Sequence, residues 1–241
     1  MVDNLGLHGS HRTAEVGKVR RVDRFCGVVS ATRLRTVFSV VLAVAMLGGI
    51  ASAPIGRSAT PGLVAAYAFD EGSGTTVADA SGGGNNGAVA NATWMSAGKY
   101  GGALEFDGSG ARVLVPDADS LRLTTAMTLE AWVNPSTVSD AWRDVIYKGN
   151  DNYYLSATST QPSGVPAGGG IFDGSYGEAF GTSVLAPNTW THLAVTYDGS
   201  ALSLYVNGAP ASSLAKTGKT LNRGGRHVAR HILLRQAPRR V

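Results

Sequence analysis

Hydrophobic and polar positions alternate most clearly between Thr189 and Ala209, where Leu193, Val195 and Tyr197 interleave with Ala194 and Thr196, and Leu202, Leu204 and Val206 interleave with Ser203 and Tyr205. A period of two puts successive side chains on opposite faces of an extended chain, so the stretch predicts two strands. Asp198-Gly199-Ser200 between them and Asn207-Gly208 after them are turn sequences, which makes the pair a hairpin. Leu63 to Phe69 predicts a first strand with Leu63, Ala65, Tyr67 and Phe69 on one face. Tyr100 to Gly108 reads as a strand ending in a turn, and Arg112 to Pro116 as its antiparallel return. In Met127 to Val133, alternation sends Leu129, Ala131 and Val133 to the core and Glu130 and Trp132 to the other face. Val145 to Lys148 and Tyr153 to Leu155 make a further pair, joined at Gly149-Asn150-Asp151-Asn152. Ser156 to Ala186 is rich in glycine and proline, with weak strand signals around Ile171 and Ala179, and predicts no element with definite bounds.

Short alternating runs and 32 glycines in 241 residues favour an all-β sandwich with one sizeable core. The net charge of +4 invites a nucleic-acid partner, but its distribution removes that reading. Residues 61 to 220 hold seven Lys/Arg against fourteen Asp/Glu, while the excess of basic residues sits in 1 to 60 and 221 to 241. An acidic folded region lacks the basic groove that tracks phosphates, and its oxygens suit a hard cation such as calcium. Cys26 is the only cysteine, so no disulfide framework or thiolate zinc site forms within the chain.

Arg33 and Arg35 precede an apolar run from Val37 to Ile50, followed by Ala51-Ser52-Ala53. That order predicts a secretory signal cleaved after Ala53, because the run is shorter than the roughly 20 apolar residues that span a bilayer. Membrane contact is then expected only through this segment if it stays uncleaved. Met1 to Thr32 is polar, dotted with arginine, and predicts no fold: it is a long leader or lies upstream of the true translation start. The expected organisation is an N-terminal extension and signal over 1–53, a linker over 54–62, the domain over 63–220, and a basic tail over 221–241.

The hairpin sequence Asn188 to Ala209 resembles the central hairpin of LamG-like, concanavalin A-like jelly-roll modules, which include laminin G domains and pentraxins. The resemblance is strongest over Ala66 to Val89, whose Asp79-Ala80-Ser81-Gly82-Gly83-Gly84-Asn85-Asn86-Gly87 loop is similar to a D-x-S-G-N-G-N-N-G loop of bacterial members, with Gly83 where those members commonly carry Asn. It continues through Asp117 to Leu123 and Met127 to Pro135. The resemblance implies a two-sheet antiparallel jelly-roll sandwich. It also implies two strands after the central hairpin, the last returning beside Leu63 to Phe69. Here the sequence turns to Arg, Pro, Gly and Ala from Leu221 onward, so the last strands are expected to be missing. A frameshift near residue 221 is one source of such a tail, and a genuine basic tail for anionic polymers is the other.

Glu105 and Asp107 share a strand face, the spacing of a glycosidase E-x-D-x-x-E pattern, but Gly110 stands where the second Glu is needed, so no enzyme activity is expected. His192 has no nucleophile motif near it and reads as a packed, hydrogen-bonded histidine. Calcium is the expected cofactor, with oxygens from Asp70, Asp79, Asn86, Asp151 and Asn152, although Asp and Asn in glycine loops also cap turns without metal. Asp151-Asn152 is similar in position to a calcium-binding pair of pentraxins. Flat aromatic faces with polar edges suit sugars, and Trp142, Tyr153 and Tyr176 are the candidate carbohydrate-binding residues, while Trp132 and Trp190 read as core residues. The reading is a secreted, non-catalytic, calcium-dependent module for an extracellular glycan or glycoprotein. The alternatives are a structural or adhesive protein-interaction module and a non-functional fragment of a larger extracellular protein.

Overall fold

The computed structural model describes residues 23–25, 61–221, 227–229 and 233–235. Its strands in chain order are β1 (Asp23–Phe25), β2 (Leu63–Ala66), β3 (Thr76–Val77), β4 (Gly87–Ala90), β5 (Thr93–Met95), β6 (Ala103–Phe106), β7 (Arg112–Val115), β8 (Met127–Asn134) and β9 (Arg143–Lys148). They continue as β10 (Tyr153–Thr158), β11 (Ala167–Phe172), β12 (Ser175–Phe180), β13 (Thr191–Tyr197), β14 (Ala201–Val206), β15 (Ala209–Ala215), β16 (His227–Ala229) and β17 (Leu233–Arg235). One sheet runs β15-β14-β13-β8, and the far side of β8 is shared between β17 with β2, and β1 with β6 and β5. The other runs β12-β11-β10-β9-β16-β7-β4-β3. Every pairing is antiparallel, and the inner faces of the two sheets enclose one core.

The expected hairpin is β13 and β14, in register from Leu193↔Val206 to Tyr197↔Leu202. At its turn Asp198 Oδ1 accepts hydrogen bonds from the backbone N–H of Ser200 and Ala201, both at 2.8 Å, and Gly199 takes a φ of +93° that a side chain would resist. Leu129, Ala131 and Val133 of β8 enter the core beside Leu193 and Val195 of β13, with Leu202 and Leu204 of β14 in the same cluster, as the alternation predicts. The first strand is shorter than expected. It ends at Ala66 because Phe69 turns to a φ of +57°, though Tyr67 and Phe69 stay buried with ring centres 6.3 Å apart.

Three expectations are corrected. Asp23–Phe25, in a stretch read as having no fold, pairs with Leu104–Phe106 and with Val133 and Asn134, in the part of the β8 edge that β17 does not reach. The tail also supplies strands: β16 lies between β7 and β9, and β17 pairs Leu63–Ala66 on one side and Thr128–Glu130 on the other. The edge of Leu63–Ala66 is therefore covered, because a ladder uses backbone groups and three residues suffice to make one. Finally, the glycine-rich stretch left without elements contains β11 and β12, paired over six positions from Ala167↔Phe180 to Phe172↔Ser175.

The open sides of the two sheets are tied together by Lys216, which follows β15. Its ammonium donates to Ser175 Oγ at 2.6 Å and Tyr176 O at 3.0 Å, and lies 5.6 Å from the centre of the Phe172 ring.

A charged group is buried at the end of β9. Lys148 is 1% exposed and its Nζ lies 2.6 Å from Asp117 Oδ1, while Arg122 reaches Asp117 Oδ2 at 3.0 Å. The hydrogen bond from Lys148 holds the Asp117 carboxyl below its ordinary value, and burial lowers the Lys148 ammonium. A carboxylate depressed in the folded state contributes stability above its unfolded pKa and loses it as pH falls through the folded one. Stability is therefore expected to decline as pH drops below about 4. Asp117→Asn should cost about 3 kcal/mol at pH 7 by stranding a buried ammonium, and should flatten that acid dependence; urea melts across the acid range check both. Deleting residues 222–241 should lower the melting temperature of the chain by unpairing β2, β7 and β9, and calorimetry of the two lengths measures it.

Candidate functional site

Along β10 the odd positions Tyr153, Leu155 and Ala157 enter the core, so Tyr154, Ser156 and Thr158 face outward. Register then sets a row on the outer face: Tyr147 on β9 opposite Tyr154, Tyr154 opposite Gly169 on β11, and Gly169 opposite Glu178 on β12. The Tyr154 hydroxyl donates to the Glu178 carboxylate, spanning β11 to do so. Gly169 permits this. A Cβ there would lie 3.0 Å from the Tyr154 hydroxyl and 2.4 Å from Gly177 O, so a larger residue would lift the ring off the sheet.

The row extends in both directions along the strands. Toward one end, Ser156 Oγ donates to Asp144 Oδ1 at 2.7 Å, Thr158 Oγ1 donates to Ala141 O at 2.5 Å, and Trp142 packs edge-on against Tyr154 with ring centres 5.8 Å apart. Toward the other, the Tyr176 hydroxyl donates to Asp151 Oδ2 at 3.0 Å, and the Asp151 N–H donates to the Tyr147 hydroxyl at 3.2 Å. Burial, followed by the charge of Asp151, raises the Tyr147 phenol above its ordinary value, so it stays protonated and can donate. Tyr154 is 2% exposed and acts as the pillar of the face, whereas Tyr176 is 55% exposed and Trp142 half-buried. The result is an aromatic surface edged by Asp144, Asp151 and Glu178. It can stack on the apolar face of a ring and exchange hydrogen bonds with hydroxyls around it.

The structure brings Trp142, Tyr176 and Asp151 of the expected site residues to this face and removes the others. Tyr153 is corrected: it is 1% exposed in the core and its hydroxyl donates to Leu121 O at 2.7 Å, leaving no ring surface for a ligand. Asn152 is buried beside it. Asp79 organises its own loop, Oδ1 accepting the N–H of Ala66 at 2.9 Å and Ser81 at 2.8 Å, and Oδ2 accepting that of Asn85 at 3.0 Å. Asn86 Oδ1 accepts the Asp79 N–H at 2.9 Å, and Asp70 Oδ1 accepts the Gly102 N–H at 2.7 Å. Calcium needs about six to eight oxygens with lone pairs directed at the ion. In Asp70, Asp79 and Asn86 the oxygens named here serve backbone donors in the loops after β2 and β3, the turn-capping use of these residue types.

Two further expectations are settled by position. Trp132 is not a core residue but lies on the outer face of the nine-stranded sheet, directly paired with His192, and Trp190 is half-buried. Asp107 caps a turn, its Oδ1 accepting the Ser109 N–H at 2.7 Å. Tyr147, Asp144, Ser156, Gly169 and Glu178 were not among the expected site residues. The signal for the first four lay in the polar members of Tyr154, Ser156 and Thr158, which mark the outward face of β10 and hence of its partners. Glu178 had none, because the glycine run of β11 carries no period.

The family described as the concanavalin A-like lectin/glucanases superfamily matches residues 107–231. The chain belongs to this superfamily. The match extends past residue 220, in keeping with the strands found in the tail. No curated protein matches the chain. Among solved structures, this superfamily member is similar to domain 4 of an extracellular arabinanase from Geobacillus stearothermophilus in complex with arabinotriose, at 18% identity and a TM-score of 0.55, over 72% of this chain and 89% of that one. Other similar structures are a carbohydrate-binding module from Bacillus subtilis (10% identity, TM-score 0.37, 62% and 94% covered) and a galectin from Caenorhabditis elegans (13%, 0.34, 52% and 86%). The family match and the arabinanase domain agree with the two-sheet structure in a concanavalin A-like jelly roll.

Because Asp79 serves three N–H donors, each charged bond contributing about 1.5 kcal/mol, Asp79→Ala should destabilise the domain by up to about 4.5 kcal/mol, and by about 3 kcal/mol once the loop relaxes. The loss should be equal in calcium and in chelator, and paired denaturant melts compare the two.

Proposed function

We propose that the protein is a non-catalytic carbohydrate-binding module whose ligand lies on the outer face of β9 to β12. The observation that carries the reading is the pair of accessible rings, Trp142 and Tyr176, on a face braced by the buried Tyr154, whose hydroxyl bonds Glu178 over Gly169. Sugars present apolar C–H faces and polar edges, and this face offers rings for the first and Asp144, Asp151 and Glu178 for the second. The fold shared with the arabinanase domain supports the class of ligand, while the face supplies the binding groups.

The same geometry favours binding over cleavage. Asp144 and Glu178 stand on strands three spacings apart, about 14 Å between backbones, whereas glycosidic hydrolysis uses carboxyl pairs about 5 to 9.5 Å apart. Calcium enters the proposal only through Asp151, at the Tyr176 end. The proposed setting is extracellular, with a glycan or glycoprotein as partner. Its support is the apolar run Val37 to Ile50 and the Ala51-Ser52-Ala53 sequence, which lie outside the described residues. Among the described residues no helix is long and apolar enough to cross a membrane. Cleavage after Ala53 would also release Asp23–Phe25 from the sheet, and N-terminal sequencing of exported protein would read out the cut.

The direct test is a glycan array followed by calorimetry with the best ligand. Trp142→Ala and Tyr176→Ala should each weaken binding about tenfold or more, about 1.4 kcal/mol. Binding of no glycan, or unchanged affinity in both variants, refutes the reading. Loss of binding in chelator, restored by calcium and abolished by Asp151→Ala, would support the ion at Asp151; binding that survives chelator assigns recognition to the aromatic surface alone.

A further inference from the structure

At one end of the sandwich a cleft of about 360 Å³ opens between the segment that joins β12 to β13 and the turn that joins β14 to β15. Small-molecule sites enclose about 300 to 1,000 Å³, so the cleft has room for a sugar or a substituent of one. Its buried lining is mostly aliphatic: Leu185 is 4% exposed, Val206 packs against the core, and Thr191, equally buried, turns its hydroxyl to Thr189 O at 3.4 Å. Its rim carries the uncharged polar side chains of Thr182, Ser183 and Asn207 together with Val184, which is 56% exposed. None of the residues lining the cleft is charged or aromatic.

Both walls are held in place. The N–H groups of Gly181 and Asn188 donate to Pro166 O and Pro135 O, each at 2.7 Å, and so pin the segment 182–187 at its two ends. On the other wall Asn207 takes a φ of +52°, its N–H donates to His192 O at 2.8 Å, and its Oδ1 accepts the His192 N–H at 2.9 Å. These bonds fix the carboxamide. Its oxygen is engaged by the backbone, and Nδ2 is the donor that remains for another molecule. The hydroxyls of Thr182 and Ser183 make no hydrogen bond to the described residues. Groups positioned before a ligand arrives lose little further freedom when it binds.

We propose that this cleft is a second ligand site, which takes the acetamido group of an N-acetylated amino sugar. The methyl group lies against Val184, Leu185 and Val206, the acetamido carbonyl accepts a hydrogen bond from Asn207 Nδ2, and the acetamido N–H donates to a hydroxyl of Thr182 or Ser183. An uncharged lining supplies no counter-ion for an acidic or a basic ligand, and without a ring to stack on it suits an aliphatic substituent better than the flat face of a sugar. A sugar lacking the acetyl group would bring hydroxyls against Leu185 and Val206, where they find no partner. A simple acyl chain would satisfy those side chains but leave the polar rim unused. The cleft shares no residue with the face of β9 to β12, so the inference stands independently of the function proposed for that face.

The test is an NMR titration of the full chain, read at backbone amides, with diacetylchitobiose and with cellobiose, which has the same linkage and no acetamido groups. Diacetylchitobiose should shift the amides of Val184, Leu185 and Asn207, and cellobiose should leave them in place. Val184→Asp, which sets a charge at the rim, and Asn207→Asp, which replaces the donor with an acceptor, should each weaken binding about tenfold or more. Val184 is exposed, and Asn207→Asp keeps the oxygen that accepts the His192 N–H and a residue type that tolerates positive φ, so both variants should melt with the wild type. Trp142→Ala should leave the affinity unchanged. The proposal is overturned if diacetylchitobiose does not bind, if cellobiose shifts the same amides with equal affinity, if neither Val184→Asp nor Asn207→Asp weakens binding, or if Trp142→Ala abolishes it, which assigns the sugar to the other face.

Discussion

Seven consecutive antiparallel pairs between Met127–Val133 and Thr191–Tyr197 hold the centre of the nine-stranded sheet in one register, and every side-chain direction near it follows. A slip of one residue would exchange Leu129, Ala131, Val133, Leu193 and Val195 for Glu130, Trp132, His192 and Thr196 in the core, exposing the first set and burying charge. The core and both outer faces are thus consequences of a single constraint. The same rule acts on the second sheet through β10, where the inward set is apolar and the outward set holds a hydroxyl for each of its three positions. Side chains that fill the core and side chains that brace the outer face alternate along the same strands.

Where the period of two was unbroken, the sequence was legible: the hairpin of β13 and β14, the inward set of β8, and the Asp198 turn all stand as their residues predict. The first strand was read too long because Phe69 keeps its burial while leaving the extended conformation, a change that burial pattern alone does not register. Tyr153 and Tyr154 illustrate the harder case. Adjacent tyrosines must face opposite ways, and Leu155 decides which enters the core; Tyr153, expected as a flat face for sugar, does so, and Tyr154 on the outer face is itself only 2% exposed. β11 gave only a weak signal around Ile171 and no definite bounds, since Gly168, Gly169 and Gly170 are chosen for what comes close to them. A Cβ on Gly168 would lie 2.6 Å from Val195 Cβ, a contact made by a strand 27 residues away.

The loops obeyed a similar division. Asp79 and Asn86 carry the residue types of a calcium loop, but their oxygens meet N–H groups that only the closed loop aligns, and composition does not distinguish the two uses. In the tail, arginine and proline concealed two three-residue strands whose partners lie between 79 and 172 residues upstream. Pairing of that kind depends on backbone geometry supplied by the rest of the sheet rather than on local preference.

Lys216 gives the module a mechanical property. Tyr176 stands on β12, the outermost strand of its sheet, where a polymer pulling on a bound ring would tend to peel the strand away one hydrogen bond at a time. The ammonium grips Ser175 and the Tyr176 carbonyl from the opposite sheet, so the load passes into β15 and β14 and loads the edge ladder partly in shear. A strand that would otherwise unzip is stapled across the thickness of the sandwich at the point where tension would arrive.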